Sequence, residues 1–137
     1  MPDAVRKVGY CYTMVTNRAG QGAKVLGAIA DAGLNLEAFS GFPTPRGVQL
    51  DFVTADAASL RRLAKNEGLE LSQVKRAFLI QGEDRAGAVR RHLDKLAAAR
   101  ISVTAADAIA DGKGRYGMLL WVKPKDFARA AKVLGAR

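Results

Sequence analysis

Two copies of one short motif constrain this chain more than any other feature. Asn17-Arg18-Ala19-Gly20 returns as Asp84-Arg85-Ala86-Gly87. Each copy follows an apolar, strand-like run, Tyr10 to Val15 in the first case and Ala77 to Ile80 in the second, and each opens a helix-like run. The register then persists at one constant offset. Leu26 falls on Leu93, Ile29 on Leu96, Ala30 on Ala97, Leu34 on Ile101 and Leu36 on Val103. A turn, a helix face and the following strand that keep one spacing are a duplication. The chain therefore folds as two copies of one unit.

The chemistry of the motif suggests a use. Asn or Asp at a strand end can fold its side chain back onto the backbone and cap the coming helix. Gly three residues later permits a tight bend and a close approach by another group. Free amides at a helix start attract anions such as a carboxylate.

The elements follow from pattern. Val8 to Thr16 reads as a strand and Gln21 to Ala32 as a helix, with Val25, Leu26, Ile29 and Ala30 on one face and Gly33 as its stop. Leu36 to Phe42 is a second strand. Pro43 to Gly47 is a turn, since proline cannot continue a central strand. Val48 to Thr54 alternates apolar and polar residues as a half-buried strand does. Asp56 caps a helix over Ala57 to Asn66, and Leu69 to Val74 makes a fourth strand. The second copy has a strand over Ala77 to Gly82, a helix over Ala88 to Ala99, strands over Val103 to Ile109 and Tyr116 to Val122, and a helix ending at Leu134. Asp111-Gly112-Lys113-Gly114 is its hairpin turn.

The fold class is α+β: two ferredoxin-like βαββαβ units in tandem, residues 1–74 and 75–137, each an antiparallel sheet with its helices on one face. The second copy ends after its second helix, so its last strand is missing. In this strand order the missing strand lies next to Ala77 to Gly82. That apolar edge is expected to be covered by the first unit's strand Leu69 to Val74 or by a neighbouring chain, giving a homodimer built partly by continuous sheets or strand exchange.

Composition narrows the function. A single cysteine, Cys11, can form neither an internal disulfide nor a metal cage, which argues for a reducing compartment. No signal peptide is recognised and no apolar run has membrane-spanning length, so the expected location is the cytoplasm, without a membrane partner. The net charge is +9, from 22 Lys and Arg against 13 Asp and Glu. The cations are scattered as pairs such as Arg61-Arg62 and Arg90-Arg91 with no block of five, the pattern of a solvated basic surface rather than a polyanion site.

The motif and its surroundings resemble the ACT domain, a small amino-acid-sensing module attached to or regulating metabolic enzymes. Asn17-Arg18-Ala19-Gly20, Leu26, Ile29, Ala30 and Ala32-Gly33-Leu34-Asn35-Leu36 are similar to that family's Asn/Asp-x-Pro-Gly turn, helix and Ala-Gly-Ile-Asn-Ile strand entry. The second copy carries Asp84-Arg85-Ala86-Gly87 and Ala99-Arg100-Ile101-Ser102-Val103. Ala19 and Ala86 stand where the family often has Pro, and Arg100-Ile101-Ser102 replaces Gly-Ile-Asn. The resemblance implies ligands held between two units, against the turn of one and the second strand of its neighbour. By position it nominates Asn17, Arg18, Gly20, Gly22, Asn35 and Leu36, and then Asp84, Arg85, Gly87, Ser102 and Val103. Amides near Gly20 or Gly87 would hold a ligand carboxylate, and Asn17 or Asp84 its ammonium.

Rival chemistries are poorly served. Gly20-Gln21-Gly22 starts like a dinucleotide fingerprint, but Val25 stands at the third glycine position and a hairpin follows. His92, the only histidine, has no cysteine or second histidine as partner and reads as a half-exposed helix residue at the position matching Val25. No Ser/His/Asp set forms, so neither catalytic residues, nor a metal, nor a cofactor is expected. RNA binding is the alternative: RNA-recognition domains share the element order, and Arg115-Tyr116-Gly117 is similar to their third-strand motif. Tyr116 and Trp121 are spaced to face opposite sides of a strand, which weakens it. The expected function is a non-catalytic module that binds a free amino acid and regulates a metabolic enzyme.

Overall fold

A computed structural model describes residues 2–137 of the chain. The elements are β1 (Ala4–Val15), α1 (Gln21–Asp31), β2 (Ala38–Thr44), β3 (Gly47–Val53), α2 (Ala57–Glu67), β4 (Lys75–Glu83), α3 (Arg90–Ala98), β5 (Val103–Ala110), β6 (Arg115–Val122), a short 3-10 turn (Pro124–Asp126) and α4 (Phe127–Leu134). They form two compact units. Gly9–Lys75 is the N-terminal unit; Arg76–Arg137, joined by the residues up to Val8, is the C-terminal unit.

In the N-terminal unit β3 pairs antiparallel with β2 and with the second half of β1, Tyr10 opposite Val53 and Phe39 opposite Phe52. The α+β class holds, with α1 and α2 on one face. Their apolar stripes bury Val25, Ile29 and Leu60 against Cys11, Leu50 and Phe52. Asp56 caps α2 as its sequence predicts, accepting from the Ser59 amide at 3.0 Å. Pro43, expected in the turn, instead continues β2 opposite Val48. As the outer strand of this unit, β2 has a side on which a missing N–H costs no ladder bond. Leu69 to Val74, expected as a strand, carries no regular secondary structure. It follows β1 through Ser72 N–H to Tyr12 O at 2.9 Å, while the Tyr12 amide donates to Ser72 Oγ rather than to a carbonyl. A side-chain oxygen at that rung breaks the regular ladder. Thr13 Oγ1 secures the same segment by donating to Glu70 O at 2.8 Å.

In the C-terminal unit β6 pairs with β4 and β5, Leu79 opposite Leu119 and Asp107 likewise opposite Leu119 on its other side. The strand absent after α4 is supplied from the other end of the chain. Ala4 to Val8, the first half of β1, lies beside β4. Val5 joins the core of Phe78, Ile80, Leu96 and Leu120. Arg137 ties this segment down, its N–H donating to Val5 O at 3.1 Å and its carbonyl accepting from Lys7 N–H at 2.9 Å. The strand expected as an open edge is therefore interior, with Ala77, Phe78, Leu79 and Ile80 all buried. The argument for strand exchange through that edge falls with it. No helix among the described residues is long and apolar enough to cross a membrane.

Candidate functional site

The two copies of the motif adopt the same turn. Gly20 has φ +87° and Gly87 φ +82°, the left-handed region that favours glycine. The turn before α1 closes by Arg18 N–H to Thr16 O at 2.8 Å and Gln21 N–H to Arg18 O at 3.3 Å. The one before α3 closes by Ala88 N–H to Arg85 O at 3.1 Å, with the Asp84 amide donating to Gly114 O at 2.9 Å. The expected side-chain caps do not form. Gly20 and Val89 occupy the cap positions of α1 and α3, and neither helix receives a side-chain bond there. Asn17 and Asp84 sit too early in the turn, because the left-handed glycine or an added turn separates them from the first helical amides. The amides of Arg85, Ala86 and Gly87 donate to no backbone carbonyl among the described residues.

Beside the second turn lies an open groove of about 550 Å³. Asp84, Arg85, Gly87 and Arg90 line one part of it. Ala88, Val89 and Leu93 come from the turn and α3, Ala108, Ile109 and Ala110 from β5, and Tyr116 from β6. Its size falls within the roughly 300–1,000 Å³ of small-ligand sites. Asp84, Arg85 and Gly87 are thus brought together, while Ser102 and Val103 are not part of this lining. The reason is helix length: α3 has nine residues, which at 1.5 Å each separates its two ends by about 13 Å. In the N-terminal unit Asn17, Arg18, Gly20 and Gly22 lie at the start of α1, while Asn35 and Leu36 lie beyond its end, about 16 Å of helix away. Asn35 is exposed and Leu36 packs against the core.

Sequence reasoning missed the polar cluster under the groove. His92, expected half-exposed, is buried, and its Nε2 lies 2.7 Å from Asp3 Oδ2. The Tyr116 hydroxyl donates to the same oxygen at 2.5 Å. Arg91 Nη2 stands 2.6 Å from Asp3 Oδ1, an ion pair without hydrogen-bond alignment. The His92 Nδ1 is buried without a partner among the described residues. The signal was present in the duplication: His92 replaces the core residue Val25, and a polar group facing a core needs a partner. That partner lies 89 residues away in sequence, in the opening segment.

The cluster sets two unusual titrations. Burial pushes the Asp3 carboxyl up, but hydrogen bonds from Tyr116 and His92 and the contact with Arg91 outweigh it and hold its pKa at about 2, against an ordinary 3.8. Burial first, and then the hydrogen bond to the Asp3 carboxylate, raise the Tyr116 pKa from 10.0 to about 12. The Asp3 contribution, roughly 2 kcal/mol, is complete above the unfolded carboxyl pKa and disappears as pH falls through about 2. The Tyr116 contribution has the opposite sense: it is complete below pH 10 and disappears as pH rises through about 12. Urea titrations of the wild type and Tyr116→Phe from pH 2 to 12 are expected to differ in slope on the alkaline side. Parallel curves there would refute the assignment.

No group of three or more His, Cys, Asp and Glu side chains among the described residues is placed to hold a metal ion. Cys11 is a buried free thiol whose pKa is raised by that burial.

No family model and no curated protein matches this sequence. Solved structures do share its fold. A protein from Bacteroides thetaiotaomicron superposes with a TM-score of 0.77 at 16% identity, covering 97% of this chain and 88% of that one. The regulatory subunit of aspartate kinase from Thermus flavus gives 0.60 at 17% identity, covering 98% and 95%. That subunit from Thermus thermophilus, in ligand-free form, gives 0.62 at 15% identity over 98% and 95%. At such identities the likeness establishes the fold alone: two ferredoxin-like α+β units in one chain, a fold shared with the regulatory subunits of aspartate kinase.

Proposed function

We propose that this chain is a non-catalytic regulatory module that binds a free amino acid at its strand-to-helix turns and acts on a metabolic enzyme. The observation that carries the reading is the groove beside Asp84, Arg85 and Gly87. There, amides without backbone acceptors and an arginine stand next to a carboxylate, a charge pattern complementary to a zwitterion. Support comes also from the fold shared with regulatory subunits of aspartate kinase, which are regulatory parts of a metabolic enzyme by name. The N-terminal turn, with the same positive φ at Gly20, is a second candidate half-site of the same kind, with Asn17 in place of Asp84.

The RNA-binding alternative needs aromatic rings presented on the sheet. On β6 both candidates are buried, Tyr116 at 6% exposure and Trp121 at 8%, so that strand offers bases no stacking platform.

A thermal-shift series against the common amino acids at millimolar concentration tests the proposal. A ligand at a hundred times its dissociation constant stabilises the folded state by about 2.7 kcal/mol. Asp84→Lys reverses the charge that meets the ammonium, and is expected to leave the unliganded melting temperature in place while removing the ligand-induced shift. A panel in which no amino acid raises the melting temperature would overturn the proposal.

A further inference from the structure

We infer that the groove of the C-terminal unit selects an α-amino acid with an aliphatic side chain, the leucine, isoleucine and valine class, over one with a charged or hydroxyl side chain. The inference rests on the amino-acid-binding reading above and adds to it the ligand's chemical class.

The distribution of lining residues carries it. The charges of the groove come from Asp84, Arg85 and Arg90, all in the turn or the first residue of α3. The space a side chain at Gly87 would take is open, with no atom within 4 Å of a Cβ built there, so the turn backbone is approachable. Arg90 is in part engaged already, its Nε lying 3.4 Å from Asp94 Oδ2. These groups match one carboxylate and one ammonium. The rest of the wall is apolar: Val89, Leu93, Ala108, Ile109 and the Tyr116 ring. The one polar atom on that ring is committed, since its hydroxyl donates to Asp3. Along that wall a second ammonium or carboxylate on the ligand would find no protein partner and would lose part of its hydration to the apolar surface. A branched hydrocarbon loses its water contact there instead. Each buried methylene contributes about fourfold in affinity, so leucine should bind at least tenfold tighter than alanine. Val89 and Leu93 lie on the partly covered flank of the helix, and Ile109, 78% exposed, forms the opposite rim. An apolar residue that exposed on an outer strand gains a role once a hydrocarbon ligand packs against it.

Calorimetry on the full chain with leucine, isoleucine, valine, alanine, lysine, threonine and aspartate tests this. So does 4-methyl-2-oxopentanoate, the leucine skeleton without its ammonium. The expected order places the branched aliphatic amino acids first, with alanine, the charged and hydroxyl members and the oxo acid at least tenfold weaker. Ile109→Asp, at an exposed rim position, should weaken leucine about tenfold while leaving the unliganded melting temperature unchanged. Ala110→Glu, also exposed, serves as an independent variant should the first misfold. Lysine, threonine or aspartate binding as tightly as leucine would overturn the inference while leaving the amino-acid reading standing. Leucine affinity indifferent to both variants would remove the groove as its site. Binding of no amino acid at all would end both proposals, and tighter binding of the oxo acid would refute the zwitterion match.

Discussion

Asp3→Ala is expected to lower stability by about 3 kcal/mol, a loss of about 10 °C in melting temperature for a chain of this size. The Asp3 side chain is 2% exposed and is the shared acceptor for His92 and Tyr116. Removing it leaves a buried imidazole N–H without an acceptor and a buried hydroxyl with only the Ala88 carbonyl, 3.5 Å away, each costing about 1–3 kcal/mol. Arg91 adds to this cost, because its Nη2, which faces Asp3, and its Nε are buried without hydrogen-bond partners and would lose their counter-charge. The damage should be local at first. Ala4 to Val8 contributes the outer strand beside β4, and Asp3 anchors its start. Hydrogen exchange at Phe78 to Gly82 is therefore expected to accelerate before the rest of the unit responds. Asp3→Asn keeps the size and one carbonyl acceptor but turns a donor toward donors, and should recover less than half of the loss. A melting shift under 2 °C for Asp3→Ala would show that the cluster contributes little.

Gly82→Ala should cost nearly as much, for a reason that only the three-dimensional structure supplies. A Cβ at Gly82 would collide with Asp3 Oδ1 and Cγ. Its backbone is in the ordinary extended region, so no conformational strain enters. The carboxylate must leave, and with it the acceptor for both His92 and Tyr116. The cost is expected at about 3 kcal/mol in the wild type and near zero in the Asp3→Ala background. Such strong non-additivity is the signature of one shared cause. Urea unfolding of the two single variants and the double variant measures it, and simple additivity would mean that Gly82 is required for some other contact.

Much of this architecture was legible from pattern alone. The duplicated motif, the 3.6-residue periodicity of Val25, Leu26 and Ile29, and the alternation over Val48 to Phe52 are local signals. Local signals identify helices and strands because each element buries one face. They reach the turns as well: Gly20 and Gly87 both take positive φ. Where the pattern misled, the deciding group was distant. Pro43 stays in a strand because β2 is the outer strand of its unit, and Leu69 to Val74 is irregular because Ser72 offers Tyr12 a side-chain oxygen. Neither fact is a property of its own segment.

The same division holds for the candidate site. The sequence by itself determined the unit type, the two turns and three members of the groove, Asp84, Arg85 and Gly87, because turn chemistry resides in consecutive residues. It could not tell that Asn17 and Asp84 leave the helices uncapped, since cap geometry depends on where the first helical amide falls. Nor could it assign Ala108 to Ala110 to the groove wall, which requires the β5–β6 register. Above all, only the tertiary structure decided which strand completes the C-terminal unit. Ala4 to Val8 and β4 are far apart in sequence, and no periodicity reports which of several apolar segments reaches an open edge first. That choice is made by summed burial of Val5 against Phe78 and Ile80, the Arg137 backbone bonds and the Asp3 cluster, all of them contacts between residues remote in the chain.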